Sequence, residues 1–275
     1  MSTWESDEGY PEPEKLRVQG VLRALLRGIP LAVLVFGCLG LLLLVRIVER
    51  PLFGLRRPWT PFITQFVCRN AFRFIGMSFQ VIGKPIRERG AIVANHSSWL
   101  DIFALNAAQQ VYFVSKAEVA NWPGIGWLAR ATGTVFIRRD RREARAQKKL
   151  FEDRLLAGHQ LLFFPEGTSS DSLRVLPFKT TLFESFFEPE LKEFMLIQPV
   201  TVYYQAPKAA EPRFYGWWGD MDFGTHLIAT LGAAQQGRVE VVYHTPLRVS
   251  DFANRKALAM ACEVKIRNAL VDRIS

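Results

Sequence analysis

Residues 91–102 read AIVANHSSWLDI. An apolar run ends in Asn95, His96, Ser97 and Ser98, and the carboxylate of Asp101 follows His96 by five positions. If the run is a strand and the chain turns into a helix at Trp99, Asp101 sits near the start of that helix and faces back toward His96. A carboxylate placed there accepts from one imidazole nitrogen and fixes the tautomer. The other nitrogen is then free to take a proton from a hydroxyl. The same residues also have a purely structural reading. Ser98 can be the N-cap with Asp101 at N3, in a capping-box-like start, and His96 can be a hydrogen-bonded loop histidine. The spacing by itself does not choose between them.

Further strand ends deliver polar groups. LLFFPEGTSSD, residues 161–171, is an apolar run ending in Pro165, Glu166 and a Gly167-Thr168 turn. A charge directly after Leu-Leu-Phe-Phe-Pro and before a run of small residues is unusual for a turn alone. It reads as a carboxylate lining a site, with backbone amides around it that can hold a polar head group. GTVFIRRDRR, residues 133–142, brings Arg138 and Arg139 to a third strand end, and IQPVTVYY, residues 197–204, is a fourth stretch of this kind.

In this order and spacing, H-x-x-x-x-D, G-x-x-F-I-x-R, F-P-E-G-T and a Pro-Val strand resemble the blocks of the glycerolipid acyltransferase (PlsC-like) family, over about residues 80–210. The resemblance implies that His96 is a general base and Asp101 its orienting partner. It implies that Arg139, in a block with Gly133, Phe136 and Ile137, helps bind the acceptor head group, and that Glu166, Gly167 and Thr168 shape the acceptor site. Pro199 and Val200 match the fourth block, and Lys116 and Glu118 fit the pattern after the second strand. The implied reaction is acyl transfer from a thioester of acyl carrier protein or coenzyme A to a lysolipid hydroxyl. It needs no covalent enzyme intermediate, no metal and no cofactor. The absence of a G-x-S-x-G elbow counts against a serine hydrolase of the α/β-hydrolase type.

One position departs from the pattern. Many phosphate-accepting relatives read E-G-T-R-S, whereas Ser169 stands in the arginine's place here. Either Arg139 or Arg174 holds a phosphate in a fork-like way, or the acceptor lacks one. Relatives with the Ser-type block include lyso-ornithine-lipid acyltransferases, and the stretches SDSLRVLPFKTTLF and YGWWGDMDFGTHL resemble that branch. The resemblance therefore implies a lyso-ornithine-type aminolipid acceptor, with lysophosphatidic acid as the alternative. Trp217, Trp218, Asp220 and His226 read equally well as acceptor contacts or as packing.

These residues need a frame. Short apolar runs at 91–95, 111–114, 134–138, 160–164, 196–204 and 239–243 alternate with helix-like stretches at 99–109, 123–131, 141–157 and 179–187. That alternation predicts an α/β fold, a central mostly parallel sheet flanked by helices, closed by an amphipathic helix over 254–274. The N-terminal part differs. Residues 28–45 hold eighteen residues without a charge, about 27 Å as a helix and close to the hydrocarbon thickness of a bilayer. Residues 61–82 are aromatic-rich and read as an interfacial segment. The expected organisation is a polar, disordered N-terminus (1–27), a membrane-associated helical segment (28–82) and a catalytic domain (83–275). Four basic residues flank the apolar run on each side (Lys15, Arg17, Arg23, Arg27; Arg46, Arg50, Arg56, Arg57). The positive-inside rule therefore gives no orientation, and Gly28, Pro30, Gly37 and Gly40 suit a segment that dips into one leaflet and returns.

Bulk properties fit this picture. The chain has 275 residues, 49% apolar, with a net charge of +9, which favours an anionic partner. The three cysteines show no paired spacing, as suits a reducing compartment. The expected location is the cytoplasmic side of the inner membrane. The run Arg138, Arg139, Arg141, Arg142, Arg145, Lys148 and Lys149 could steer an acidic carrier protein or an anionic bilayer, or be a solvated helix face. A nucleic-acid binder would account for the charge but not for the apolar N-terminus or the polar strand ends, and no recognition motif is present. A non-catalytic membrane scaffold would leave the His-Asp pair without a task.

Overall fold

The computed structural model describes residues 4–11, 16–88, 90–137 and 144–275, with side chains throughout except at 144–148. Two helices come first, α1 (Val18–Phe53) and α2 (Thr60–Ile75). Then follow β1 (Ser78–Ile82), β2 (Gly90–Ala94), α3 (Leu100–Ala108), β3 (Tyr112–Lys116), α4 (Ile125–Thr132), β4 (Val135–Ile137), α5 (Ala144–Leu156) and β5 (Leu161–Phe163). The chain continues through a 3-10 segment (Thr180–Phe187), α6 (Pro189–Lys192), β6 (Leu196–Gln205), α7 (Phe223–Gly232), β7 (Arg238–Tyr243), β8 (Leu247–Arg248) and α8 (Arg255–Ile274).

The sheet order is β1-β7-β6-β2-β5-β3-β4, with β8 also on β6. β4, β3, β5, β2 and β6 run parallel, and β7 is antiparallel to β6. The expected α/β architecture is therefore what forms. β2 lies between β5 and β6 and is buried on both faces along its whole length, which is why it reads as a continuous apolar run rather than an alternating one. Successive residues feed opposite layers. Ile92, Ala94, Val200, Val202 and Tyr204 pack with α2 and α3 residues such as Phe72 and Leu105. Ala91, Val93, Phe163 and Ile197 pack with Phe151 of α5 and Leu258, Cys262 and Ile266 of α8. From β5, on one side of β2, the chain crosses to β6 on the other. The crevice at the carboxyl ends of these strands is where such sheets place ligands.

Three boundaries differ from the sequence reading. Residues 18–27 belong to α1, and segment 4–11 is packed on the body, because Trp4 and Tyr10 contact the buried Trp218 ring. The aromatic stretch 61–82 is not one segment. Gly76, at φ 80°, stops α2, and 78–82 is strand β1, paired in parallel with β7 from Ser78↔Arg238 to Ile82↔Val242. The stretch 179–187 winds as 3-10 turns rather than an α-helix. Side chains three apart stack in line in such turns, and Phe183 and Phe186 are both fully buried.

α1 runs unbroken through Pro30, Gly37 and Gly40 for 36 residues, about 54 Å, instead of bending back. It is long and apolar enough to cross a membrane, and most of its apolar side chains are exposed, Leu26 at 75% and Ile47 at 70%. Both ends are tied to the body. Near the N-terminus, Arg27 Nη1 donates to the carbonyls of Leu231 and Ala233 (2.8 and 2.7 Å), and Arg23 Nε donates to Gly232 (2.9 Å). These are the last carbonyls of α7, which lack partners within their own helix. Near the C-terminus, the buried Glu49 carboxylate accepts from Trp59 N (2.7 Å), Thr60 N (3.0 Å) and Thr60 Oγ1 (2.8 Å) at the start of α2.

Candidate active site

β2 carries Asn95 and His96 out of the sheet. Asn95 locks the strand end, since its amide donates to Val202 O (2.9 Å) and accepts from Val202 N (2.8 Å) on β6. The next residue therefore leaves the sheet at a fixed point. The chain turns at Ser97 and Ser98 into α3, whose first turn contains Asp101. His96 Nδ1 lies 2.7 Å from Asp101 Oδ2. Because the buried carboxylate accepts, Nδ1 bears the proton and Nε2 has a free lone pair. Among the described residues Nε2 has no hydrogen-bond partner. The imidazole stacks on Phe164, ring centroids 4.1 Å apart and 13° from parallel, and keeps 23% of its side-chain surface exposed.

Asp101 is fully buried and satisfied by four donors. Oδ2 also accepts from Ser97 N (2.8 Å) and Ser98 N (3.0 Å), and Oδ1 accepts from the Tyr204 hydroxyl (2.7 Å). Half of the expected capping box thus forms, with the carboxylate reaching back to the amides. Ser98 does not cap: its Oγ is buried without a partner, and Trp99 holds the N-cap position. Burial and the Asp101 charge push the Tyr204 phenol well above its usual range, so it remains a donor. Tyr204→Phe would leave Oδ1 of a buried carboxylate without a donor, a loss of about 1–3 kcal/mol. The expected result is lower stability in urea and a reduced turnover with unchanged KM, since Tyr204 is buried behind Asp101. Wild-type stability in that variant would show that the bond contributes nothing.

The loop after β5 is stitched to His96 on both sides. Glu166 Oε1 accepts from His96 N (2.7 Å), Ser170 N donates to His96 O (2.9 Å), and Glu166 Oε2 accepts from Leu176 N (2.7 Å). Burial pushes the Glu166 carboxyl up to about 8, the Leu176 and His96 amides pull it down, and the Asp101 charge adds to the rise. Both oxygens are committed to backbone amides, so Glu166 positions His96 and the loop instead of projecting at a head group. Gly167 makes the turn at φ 72°. Thr168 is half-buried and Ser169 buried in the same loop.

The remaining candidates fall into three groups. Lys116 ends β3 at the same edge of the sheet as His96 and is half-buried. Pro199 is buried within β6, opposite Val93. Its carbonyl accepts from His244 N (3.0 Å) where β8 gives way to β7, so its missing N–H faces a gap in the ladder. That explains a proline inside a central strand and makes Pro199 a sheet residue, not a head-group contact. Arg139 lies outside the described residues, as do Arg138, Arg141 and Arg142. Gly133 caps α4 at φ 87°, and a Cβ there would meet the Arg57 guanidinium at 2.8 Å.

Arg174 is already paired, with Asp171 at 2.8 Å and Glu8 at 3.7 Å. Trp217 N donates to Ser97 O (2.9 Å), so the 217–226 stretch borders the site. Trp218 is buried packing, and His226 accepts from Trp99 Nε1 (3.0 Å) while burial holds it down at about 4.

The acyltransferase family model matches residues 78–203, which span β1 through nearly all of β6. The chain is 58% identical to a lyso-ornithine lipid O-acyltransferase of Rhodobacter capsulatus, over 98% of each chain. The chain belongs to the acyltransferase family. Within it, a lyso-ornithine lipid O-acyltransferase of Brucella abortus is 36% identical over 78% of this chain and 84% of its own. A 1-acyl-sn-glycerol-3-phosphate acyltransferase of Neisseria meningitidis is 40% identical over 40% of this chain and 45% of its own. The crystal structure of the 1-acyl-sn-glycerophosphate acyltransferase PlsC from Thermotoga maritima has the same fold, with a TM-score of 0.65 over 94% of this chain and 97% of the other at 21% identity.

Proposed function

We propose that this chain is a lyso-ornithine lipid O-acyltransferase. The observation that carries the acceptor is the end-to-end similarity to the Rhodobacter capsulatus enzyme. Likeness to the Neisseria 1-acyl-sn-glycerol-3-phosphate acyltransferase covers 40% of the chain. Ser169 and the Asp171-paired Arg174 support the same reading, because the first has no guanidinium and the second already holds a carboxylate.

His96 Nε2 takes the proton of the acceptor hydroxyl as its oxygen attacks the thioester carbonyl. Asp101 stabilises the imidazolium that forms. Collapse of the tetrahedral intermediate breaks the C–S bond, and the thiol leaves with the proton from His96. Glu166, Gly167, Thr168 and Ser169 hold the loop that faces the acceptor, with Lys116 at the neighbouring strand end, and Arg139 is assigned to binding the head group. Pro199 keeps β6 in register beneath them. The donor is an acyl-carrier-protein or coenzyme A thioester, and the chain works at the cytoplasmic side of the inner membrane, a reducing compartment consistent with three free cysteines. α1 is tied to the body at both ends, which supports attachment along its exposed flank within one leaflet over a crossing.

The test uses purified protein in detergent with labelled acyl-carrier-protein thioester, offered lyso-ornithine lipid and lysophosphatidic acid in parallel. Esterification of the amino-acid lysolipid is expected. Acylation of lysophosphatidic acid alone would overturn the acceptor and return phosphate binding to Arg139 or Arg174.

A further inference from the structure

A cavity of about 1710 Å³ opens at the amino ends of β2, β3 and β5, the edge of the sheet opposite His96. It lies between the α1–α2 link and the loops 84–88, 108–112 and 157–160. Among the described residues, Arg56, Arg57, Lys84 and Arg87 line it against a single carboxylate, Glu88. The wall behind is also cationic. Arg154, 8% exposed, lies with its guanidinium 4.8 Å from the Tyr112 ring centroid. Among the described residues neither Arg57 nor Arg154 meets a carboxylate. Arg57 Nη1 donates to Ala131 O (2.7 Å), Arg154 Nη2 donates to Gly133 O (2.6 Å), and Arg154 Nε has no acceptor.

His159 lines the cavity at 7% exposure, stacked on Tyr112 at 4.2 Å, and neither ring nitrogen makes a hydrogen bond of normal geometry. Burial, with Arg154 and Arg57 beside it, holds His159 down at about 4 against the pull of the Leu55 backbone carbonyl, so it is neutral and adds no positive charge. A buried guanidinium without a direct carboxylate partner, that of Arg154, next to the half-buried Arg57 is costly, and a bound anion relieves that cost. Exposed apolar side chains, Phe53, Leu55 and Phe62, stand beside these cations where α1 ends and α2 begins. Cations flanked by exposed apolar side chains fit an anion that carries hydrocarbon chains.

We propose that this cavity binds the phosphate group of an anionic phospholipid, at a site separate from that of acyl transfer. The acyl-transfer reading is not needed for it; only the bilayer as the source of the lipid rests on the membrane attachment proposed above. The experiment is a thermal unfolding titration of the full chain in neutral maltoside detergent with dihexanoylphosphatidylglycerol. The expected shift is about +5 °C at roughly a hundred times Kd. Arg57→Gln should abolish it. Because Arg57 also holds the Ala131 carbonyl, Arg56→Gln/Lys84→Gln/Arg87→Gln, at exposed positions, carries the same prediction. His96→Ala should keep the shift, which separates this site from the reading of the active site. An equal shift with dihexanoylphosphatidylcholine, an equal shift with inorganic phosphate alone, or an undiminished shift in the triple variant would each overturn the proposal.

Discussion

Replacing His96 with alanine is expected to lower the rate of acyl transfer by about 10²–10⁴, with the fold retained. The imidazole lies at the mouth of the site, 23% exposed, and its packing contact is the Phe164 face. Its removal leaves Asp101 with three of four donors, those of Ser97, Ser98 and Tyr204. The stability loss should then stay near one hydrogen bond, about 1 kcal/mol. Turnover and urea unfolding measured on the same preparation decide the matter. A variant that folds and acylates at the wild-type rate would remove His96 as the base.

Asp101→Asn separates charge from geometry. The amide oxygen can take the place of Oδ2 and accept from His96 Nδ1, Ser97 N and Ser98 N. The amide NH₂ then points at the Tyr204 hydroxyl, which can rotate to accept. Every contact has a counterpart, and only the negative charge is gone. If Asp101 stabilises the imidazolium formed during proton transfer, the turnover falls by about 10³ or more, while stability changes by only about 1–3 kcal/mol. A carboxylate that merely starts α3 predicts a similar loss of stability with turnover close to wild type. The ratio of the two effects therefore distinguishes the catalytic role from the capping role.

Much of the site's frame is legible along the chain because it is local. An apolar run too short for a helix, a polar end and an acid in the first helical turn produce β2, His96 and Asp101 in their observed relation. The same logic finds β5 and its Glu166-Gly167-Thr168 turn. Local pattern is not enough where it has two structural solutions. The aromatic stretch 61–82 is equally apolar as one surface helix or as a helix plus a strand, and Gly76 marks the break only once β7 is there to pair with β1. Pro199 reads as part of a motif. That it sits where β8 hands over to β7 is visible only in the ladder.

The α/β alternation, the order of the polar strand ends and an apolar N-terminal segment of bilayer dimensions are encoded locally, since each depends on residues within about one element of each other. Tertiary structure decided the rest. Tyr204 reaches Asp101 across 103 positions, and Glu166 closes on the His96 amide across 70. Both contacts exist because β2 is clamped between β5 and β6. A carboxylate that looks open to a ligand in the sequence is thus consumed by backbone donors. No periodicity encodes such pairings, because they follow from which strands become neighbours, and that is settled by packing the whole sheet.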